Sequence, residues 1–392
     1  MRILQIIPSI SPVYGGPSQM VREFSQALVV AGAEVTILTT DANGDQDSVP
    51  LDVPLNQPVL EANYTVWYFP CTPWRRYKFS PRLLAWLWRH AGSYDLAHIH
   101  ALFSPISTAA ATVARWHGLP YVLRPLGTLD PADLVKKQRL KQLYGQLLEK
   151  PNLAGAASLH FTSQREADIS ETFGTTPPAF VTALGVNPVS PLSEAAAWQL
   201  ARRFNIPDHC PRLLFLSRLA PKKGLDRLID ALIVLQQDAW DFHLILAGGN
   251  SQDAAFERQI CDRITQSPLK QRTTITGFVA DETKTALLQV ADLFVLPSDY
   301  ENFGIAVAEA MLAELPVIIS EGVHIWPGIK ASQSGWVCQP SVESLTAVLR
   351  QALSSPGERK RRGRNALEYA QTHYSWGAIA EQTLQIYRRI LA

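Results

Sequence analysis

Cysteine is scarce: Cys71, Cys210, Cys261 and Cys338 are the four in 392 residues, far apart and in no CxxC or CxxH pair. That spacing argues against a zinc site and a disulfide scaffold, and it fits a reducing cytosol. Long apolar runs are missing as well. The opening "MRILQIIPSI" is broken by Gln5 and Pro8, too brief for the apolar stretch of a secretory signal, and no run of about 18 apolar residues occurs anywhere. The expectation is a cytoplasmic chain without a membrane span, though such a chain can still dock on the inner face of the cytoplasmic membrane. Net charge is also small, +1, and no nucleic-acid partner is expected. The charge is unevenly placed, however: residues 72–150 hold 12 Lys or Arg against 4 Asp or Glu, a local excess of +8.

What is present is a repeating pattern. "RILQIIP" reads as a buried strand, "GGPSQMVREFSQALVVAG" as an amphipathic helix and "EVTILTT" as a strand again, a βαβ unit. Strands "YTVWYFP", "LAHIHA", "YVLRPLG" and "SLHFTS" follow, with helical segments between some of them. The alternation restarts after "ALGVNPVSPLSE", from "RLLFLSRL" through "LPVIIS". The fold class is therefore α/β, with parallel, doubly wound sheets in two domains, since domains of about 100–200 residues are usual. The expected divisions are residues 1–188, residues 189–373 and a last helix, 374–392, that crosses back to the first domain. Ligands of such folds sit beyond the carboxyl ends of the strands, and two such halves would leave a cleft between them.

Two stretches place chemistry there. "FLSRLAPKKGLDRLI" ends a strand with Arg218 and follows it with Lys222 and Lys223 at a glycine-marked helix start. Cations beside free helix N–H groups suit a diphosphate, although a solvated loop reads the same way in isolation. "PSDYENFGIAVAEAM" puts Glu301 before a helix start and Glu309 in its second turn. Carboxylates there can accept hydrogen bonds from sugar hydroxyls, or can cap the helix and face solvent.

Taken together, "YGGPSQMV", "LAHIHALFSP", "RLAPKKGLDRLIDAL", "LAGG", "TGFV", "ADLFVLPSDYENFGIAVAEAMLAELPVI" and "SGWV" resemble the family 4 (group 1) retaining glycosyltransferases of the GT-B fold, over nearly the whole chain. The resemblance implies two Rossmann-like domains facing across a cleft and a nucleotide-sugar donor as co-substrate, with no cofactor and no metal. It implies that Arg218 and Lys223 hold the donor diphosphate and that Glu301 binds the hexose, aided by Asn302, Phe303 and Gly304. Glu309 would take the ribose, and the backbone near Phe278 and Val279 the base. In the first domain Gly15 and Gly16 would approach phosphate and acceptor, and His100 would face the transferred sugar. Arg124 and Gly127 would lie on the acceptor side, where this chain has Leu126 in place of a His found in some relatives.

His98 and His100, two apart on one strand, also read as half a metal site without a third ligand, or for His98 as a buried structural ring. A dinucleotide-dependent oxidoreductase is disfavoured, because "YGGPSQ" is not G-x-G-x-x-G. A hydrolysing epimerase and a non-catalytic sugar-nucleotide-binding protein stay open as alternatives. The leading expectation is transfer of glucose from UDP-glucose to a saccharide or lipid-linked acceptor in cell-surface polysaccharide synthesis, with GDP-mannose as the other donor. The basic segment interleaves Trp74, Tyr77, Phe79, Trp86 and Trp88 with cations, and a second stretch sets Lys136, Lys137, Arg139 and Lys141 beside leucines. This reads either as a peripheral contact with anionic membrane or as a core-packed helix with a solvated basic face.

Overall fold

The computed structural model describes residues 1–14, 16–44, 49–73, 75–129, 138–187, 191–250 and 253–392. The chain divides into two compact units, Met1–Gly185 with Trp376–Ala392, and Val186–Ser375. Each is described by itself.

Unit 1 is built on eight strands: β1 Arg2–Ile6, β2 Glu34–Thr40, β3 Pro58–Glu61, β4 Tyr64–Phe69, β5 Leu96–His100, β6 Tyr121–Arg124, β7 Ser158–Phe161 and β8 Ala179–Val181. Their order across the sheet is β3-β4-β2-β1-β5-β6-β7-β8. Strands run outward in both directions from the β1/β5 pair, so the topological switch point lies between those two carboxyl ends. The central strands are almost wholly buried, as continuous apolar runs in a helix-covered sheet should be.

The sheet is not entirely parallel, which corrects the expectation from sequence. β3 pairs with β4 antiparallel, through a two-residue turn in which Ala62 (φ 42°) and Asn63 (φ 70°) are both left-handed, the geometry that matches strand twist. β3 was not foreseen because four residues show too little alternation. Tertiary bonds hold it: Tyr68 donates its hydroxyl to Glu61 Oε1 at 2.7 Å, and Arg22 pairs with the same carboxylate.

One sheet face is covered by the helix Gly16–Val30 and by the last helix, Trp376–Leu391. Trp376 Nε1 donates to Glu23 at 2.8 Å, its ring lies 6.0 Å from Phe24, and Tyr387 bonds His98 Nδ1 at 2.7 Å. The other face packs against Pro81–His90, Pro105–Trp116 and the segment 138–154, whose middle, Gly145–Glu149, is π-helical.

Unit 2 has six strands, β9 Arg212–Leu216, β10 His243–Ala247, β11 Thr273–Gly277, β12 Leu293–Leu296, β13 Val317–Ser320 and β14 Gly335–Cys338. The order is β11-β10-β9-β12-β13-β14, every pair parallel. Here the switch point falls between β9 and β12. β14 passes as a motif fragment in the sequence because "GWVC" is too short to read as a strand.

Candidate functional site

The loops that leave β9 and β12 flank the switch point of unit 2, and they are laced together. After β9 the chain makes a short 3-10 turn, Pro221–Lys223, then Gly224 takes a left-handed φ of 70° and opens the helix Leu225–Gln237. A Cβ on Gly224 would sit 2.0 Å from the Pro297 carbonyl oxygen, so only glycine allows the two loops this close. Arg227 donates to that carbonyl at 2.8 Å and to Asp299 at 2.6 Å, and the Asp299 N–H donates to the Lys222 carbonyl at 2.8 Å.

This lacing brings Lys223 Nζ onto Glu301, 78 residues away, with little exposure of either side chain. Glu301 cannot swing freely, because its backbone is pinned twice. Its N–H donates to the Gly322 carbonyl at 2.9 Å and its carbonyl accepts from the His324 N–H at 2.9 Å. The carboxylate therefore does not cap the following helix. Ile305–Leu312 starts at Gly304 (φ 81°), which has no side chain to cap it; the Val307 N–H donates to the Gly304 carbonyl at 2.8 Å, and the Ile305 and Ala306 N–H groups head the first turn without an N-cap side chain. Asn302 is half-buried, and Phe303 is buried with its ring edge-on to Tyr374 at 5.1 Å.

Glu309, in the second turn of that helix, accepts from Lys284 Nζ at 2.8 Å. Lys284 was missed by the sequence reading, since nothing in "DETKTALLQV" separates it from ordinary helix surface. Two glycine turns adjoin it at the ends of β10 and β11. Gly248 (φ 136°) has its Cβ position 1.9 Å from the Ser217 carbonyl oxygen, and its N–H donates to the Gly277 carbonyl at 2.8 Å. Past them, Phe278 projects to solvent, 83% exposed, while Val279 is buried. Arg218 is exposed on the β9 loop.

In unit 1 the expected residues fall at the other switch point, but deeper than the sequence reading placed them. His100, at the end of β5, is fully buried and its Nε2 lies 2.7 Å from Gln5 Oε1. Arg124, beside it on β6, is 2% exposed and donates to Met20 Sδ at 3.2 Å, and burial brings its guanidinium down to about 10. The loop after β6 is held by Glu166, which accepts the Gly127 N–H at 2.9 Å. Gly127 (φ 80°) and Leu126 (φ 57°) are both left-handed. Among the described residues, a Cβ on Gly16 would meet nothing within 4 Å beyond its own chain neighbours and helix backbone. Gly15 lies outside the described residues.

The half metal site dissolves. His98 uses both ring nitrogens, Nδ1 to Tyr387 and Nε2 toward His160 Nδ1 at 3.3 Å. Among the described residues no group of three or more His, Cys, Asp or Glu is arranged to hold a metal ion. Burial lowers the pKa of His98, His100 and His160 well below the ordinary value, with Arg124 nearby adding repulsion.

Two family profiles match the chain: "Glycosyl transferase 4-like domain" over residues 15–187 and "Glycosyl transferases group 1" over residues 197–369. An alpha-D-kanosaminyltransferase of Streptomyces kanamyceticus is 29% identical over 199 residues, 50% of this chain and 50% of that protein. The chain thus spans about half the length of the curated relatives first in similarity. A phosphatidyl-myo-inositol mannosyltransferase of Mycobacterium leprae is 24% identical over 100% of this chain and 97% of its own. Among solved structures, HepE of Anabaena in complex with UDP and glucose superposes with a TM-score of 0.72 at 20% identity, covering 99% of each chain, which shows a shared fold. The two profiles between them take in both α/β units, and the chain belongs to the group 1, family 4-like glycosyltransferases of the GT-B fold.

Proposed function

We propose that the protein transfers a hexose from a nucleotide sugar to a saccharide or lipid-linked saccharide acceptor, with retention at the anomeric carbon, in cell-surface polysaccharide synthesis. The observation that carries this reading is the Lys223–Glu301 pair at the β9/β12 switch point, beside an uncapped helix start and one helical turn from Glu309. Lys223 and Arg218 meet the diphosphate. As the bond from the anomeric carbon to the diphosphate oxygen breaks, that oxygen keeps the electron pair and the two cations offset its charge. The acceptor hydroxyl bonds to the anomeric carbon on the same face and passes its proton to the departing phosphate. Glu301 accepts from hexose hydroxyls, Glu309 from the ribose, and the backbone by Phe278 and Val279 takes the base. Neither carboxylate is the nucleophile, and no metal is needed for charge that Lys223 and Arg218 already supply. UDP-glucose leads as donor, supported by the UDP and glucose in the HepE complex. GDP-mannose is the second candidate, supported by the mannosyltransferase relative.

The two glutamates separate this reading from plain nucleotide binding. Glu309→Ala should weaken UDP and UDP-glucose alike, because the ribose is common to both. Glu301→Ala should spare UDP and injure UDP-glucose binding and turnover. Calorimetry on both variants decides it: equal loss of UDP affinity would refute the division of roles. A thermal-shift screen of UDP, GDP and ADP and their sugars identifies the donor, since a ligand at about 100 times its Kd stabilises by about 2.7 kcal/mol.

The acceptor side includes a peripheral membrane contact in this proposal. No helix among the described residues is long and apolar enough to cross a membrane. Trp86 turns inward, 5.1 Å from Trp67 and 4.3 Å from His90, which removes it from the expected surface row. Trp88 and Trp116 are exposed as an edge-to-face pair at 6.3 Å, and Leu143, Leu147 and Leu148 are exposed on the segment that carries Lys141. Trp74, Lys136 and Lys137 lie outside the described residues, as do the side chains of Arg139 and Leu140. Exposed aromatics and leucines with cations beside them suit an anionic bilayer surface. The protein should pellet with phosphatidylserine vesicles at low salt and release at high salt, and changing Lys136, Lys137, Arg139 and Lys141 together to Glu should abolish pelleting. Equal behaviour of both proteins would make the patch ordinary surface.

A further inference from the structure

Gln5 is the fourth residue of β1, in the buried run Ile3–Ile6 where "RILQIIP" otherwise reads as apolar, and its side chain is 0% exposed. Its Cα pairs in register with His98, and its side chain reaches His100, Oε1 to Nε2 at 2.7 Å. His100 in turn pairs in register with Arg124. Gln5, His98, His100 and Arg124 therefore share one sheet face, the face beneath the helices Gly16–Val30 and Trp376–Leu391. Four atoms in this row, Gln5 Nε2, His100 Nδ1, Arg124 Nε and Arg124 Nη2, are buried without a hydrogen-bond partner among the described residues. Stability does not account for such an arrangement. An unmet buried polar atom costs about 1–3 kcal/mol and this row holds four; an aliphatic residue at position 5 would remove one of them, Gln5 Nε2, but leave His100 Nε2 unpaired in its place.

We propose that Gln5 is a positioning residue that sets the tautomer and ring orientation of His100. This rests on the proposed hexosyl transfer and on the role that the family resemblance implies for His100, facing the transferred sugar. An amide oxygen only accepts, so with Oε1 toward the ring the proton sits on His100 Nε2 and the lone pair on Nδ1, the unpartnered nitrogen. A neutral imidazole so fixed accepts a hydrogen bond from a sugar hydroxyl at the β1/β5 switch point and leaves Nε2 no freedom to compete. The groups facing His100 are Gln5 from β1, His98 from its own strand and Arg124 from β6. Behind them lie His160 of β7, Tyr387 of the last helix, and Glu166, whose charge acts on Arg124. His98 and His160 are kept neutral by burial, and the Arg124 cation disfavours a second positive charge on His100.

The test compares wild type with Gln5→Leu, Gln5→Glu and His100→Ala. Long-range 1H–15N spectra of histidine-labelled protein report which ring nitrogen carries the proton, and the His100 signals are those lost in His100→Ala. Wild type should show Nε2–H at pH 8, and Gln5→Leu should show a mixture of tautomers. Turnover of Gln5→Leu should fall by about 10-fold or more with donor Kd nearly unchanged, as for a lost orientation. Gln5→Glu also only accepts, so it should keep Nε2–H and recover most of the turnover, while its carboxylate moves the acid limb of the kcat profile to higher pH. Should Gln5→Leu not fold, that recovery and shift in Gln5→Glu carry the test. Nδ1–H in wild type, or unchanged tautomer and turnover in Gln5→Leu, would overturn the proposal. Undiminished turnover in His100→Ala would overturn the role of His100 at the sugar, while the tautomer in wild type and Gln5→Leu would decide separately whether Gln5 holds the ring.

Discussion

Alanine in place of Lys223 is expected to lower turnover about 10²-fold or more, the usual loss when one preorganised charge donor at a departing group is removed. The Lys223 side chain is only 10% exposed and its ammonium is already placed on Glu301, so no ordering is left to be done when the diphosphate arrives. Its removal also leaves Glu301, with its backbone pinned to Gly322 and His324, without the cation that orients it. Both effects act on the chemical step. Initial rates of sugar transfer from UDP-glucose, at limiting and at saturating donor, give kcat and kcat/KM separately. Lys223→Arg should recover only part of the rate, because a planar fork does not reproduce a point charge. A Lys223→Ala enzyme near the wild-type rate at limiting donor would remove this residue from the diphosphate site. The same assay should survive EDTA, and a strict need for magnesium or manganese would contradict the metal-free proposal.

The second large effect is on stability in mild acid. Folded, His98, His100 and His160 are held neutral with lowered pKa values, chiefly by burial. Unfolded, the same rings titrate at about 6.5. Below that pH the unfolded chain binds protons that the folded chain refuses. The stability these rings contribute is therefore fully present above about pH 6.5 and is lost as pH falls toward their folded values. Each proton is worth about 1.4 kcal/mol per pH unit, so three together reach about 4 kcal/mol per unit. Glu149 opposes this: burial raises its carboxyl, and a raised acid lends stability that is present at low pH and lost as pH rises through its folded value. One such group against three rings leaves acid destabilising. Tm should drop steeply between pH 7 and pH 5, and His160→Gln should reduce the slope. A flat Tm over that interval in wild type would mean that the rings are charged in the folded state.

How much of this was legible beforehand follows from where the information lies. Strand-length apolar runs such as "FHLILA" and the loop "PSDYENFG" carry their own local signature, because strand and turn preferences depend on near neighbours. The loops holding Lys223 and Glu301 were readable as polar segments after apolar strands. Their ion pair was not, since it depends on Gly224 letting Pro297 approach. The same holds for Lys284 with Glu309, on separate helices, and for Gln5 with His100, 95 residues apart. The depth of Arg124 was invisible too: an arginine ending a strand reads as exposed, and only the overlying Met20 and Phe24 show otherwise. β3 and β8 are short edge strands, recognisable chiefly by what they pair with.

The stitching of Trp376–Leu391 into the first sheet has a consequence for the order of events during synthesis. Gly185 and Trp376 are in such close contact that a Cβ on the glycine would stand 2.2 Å from the indole, and the Val186 N–H donates to the Tyr374 carbonyl at 2.7 Å. The chain therefore leaves unit 1 and returns to it at neighbouring points, with the 190 residues Val186–Ser375 forming a closed excursion. A ribosome adding about 5–20 residues per second needs about 10–40 s to make that excursion. For that interval the sheet face carrying His98 and Val122, with Phe24 of the helix Gly16–Val30 beside it, waits without its final helix. The excursion has its two ends tied to each other and can complete its own fold first. Unit 1, though it starts earlier on the chain, is finished last, and a nascent chain arrested in the final turns would present an apolar, histidine-bearing surface to whatever chaperone is nearest.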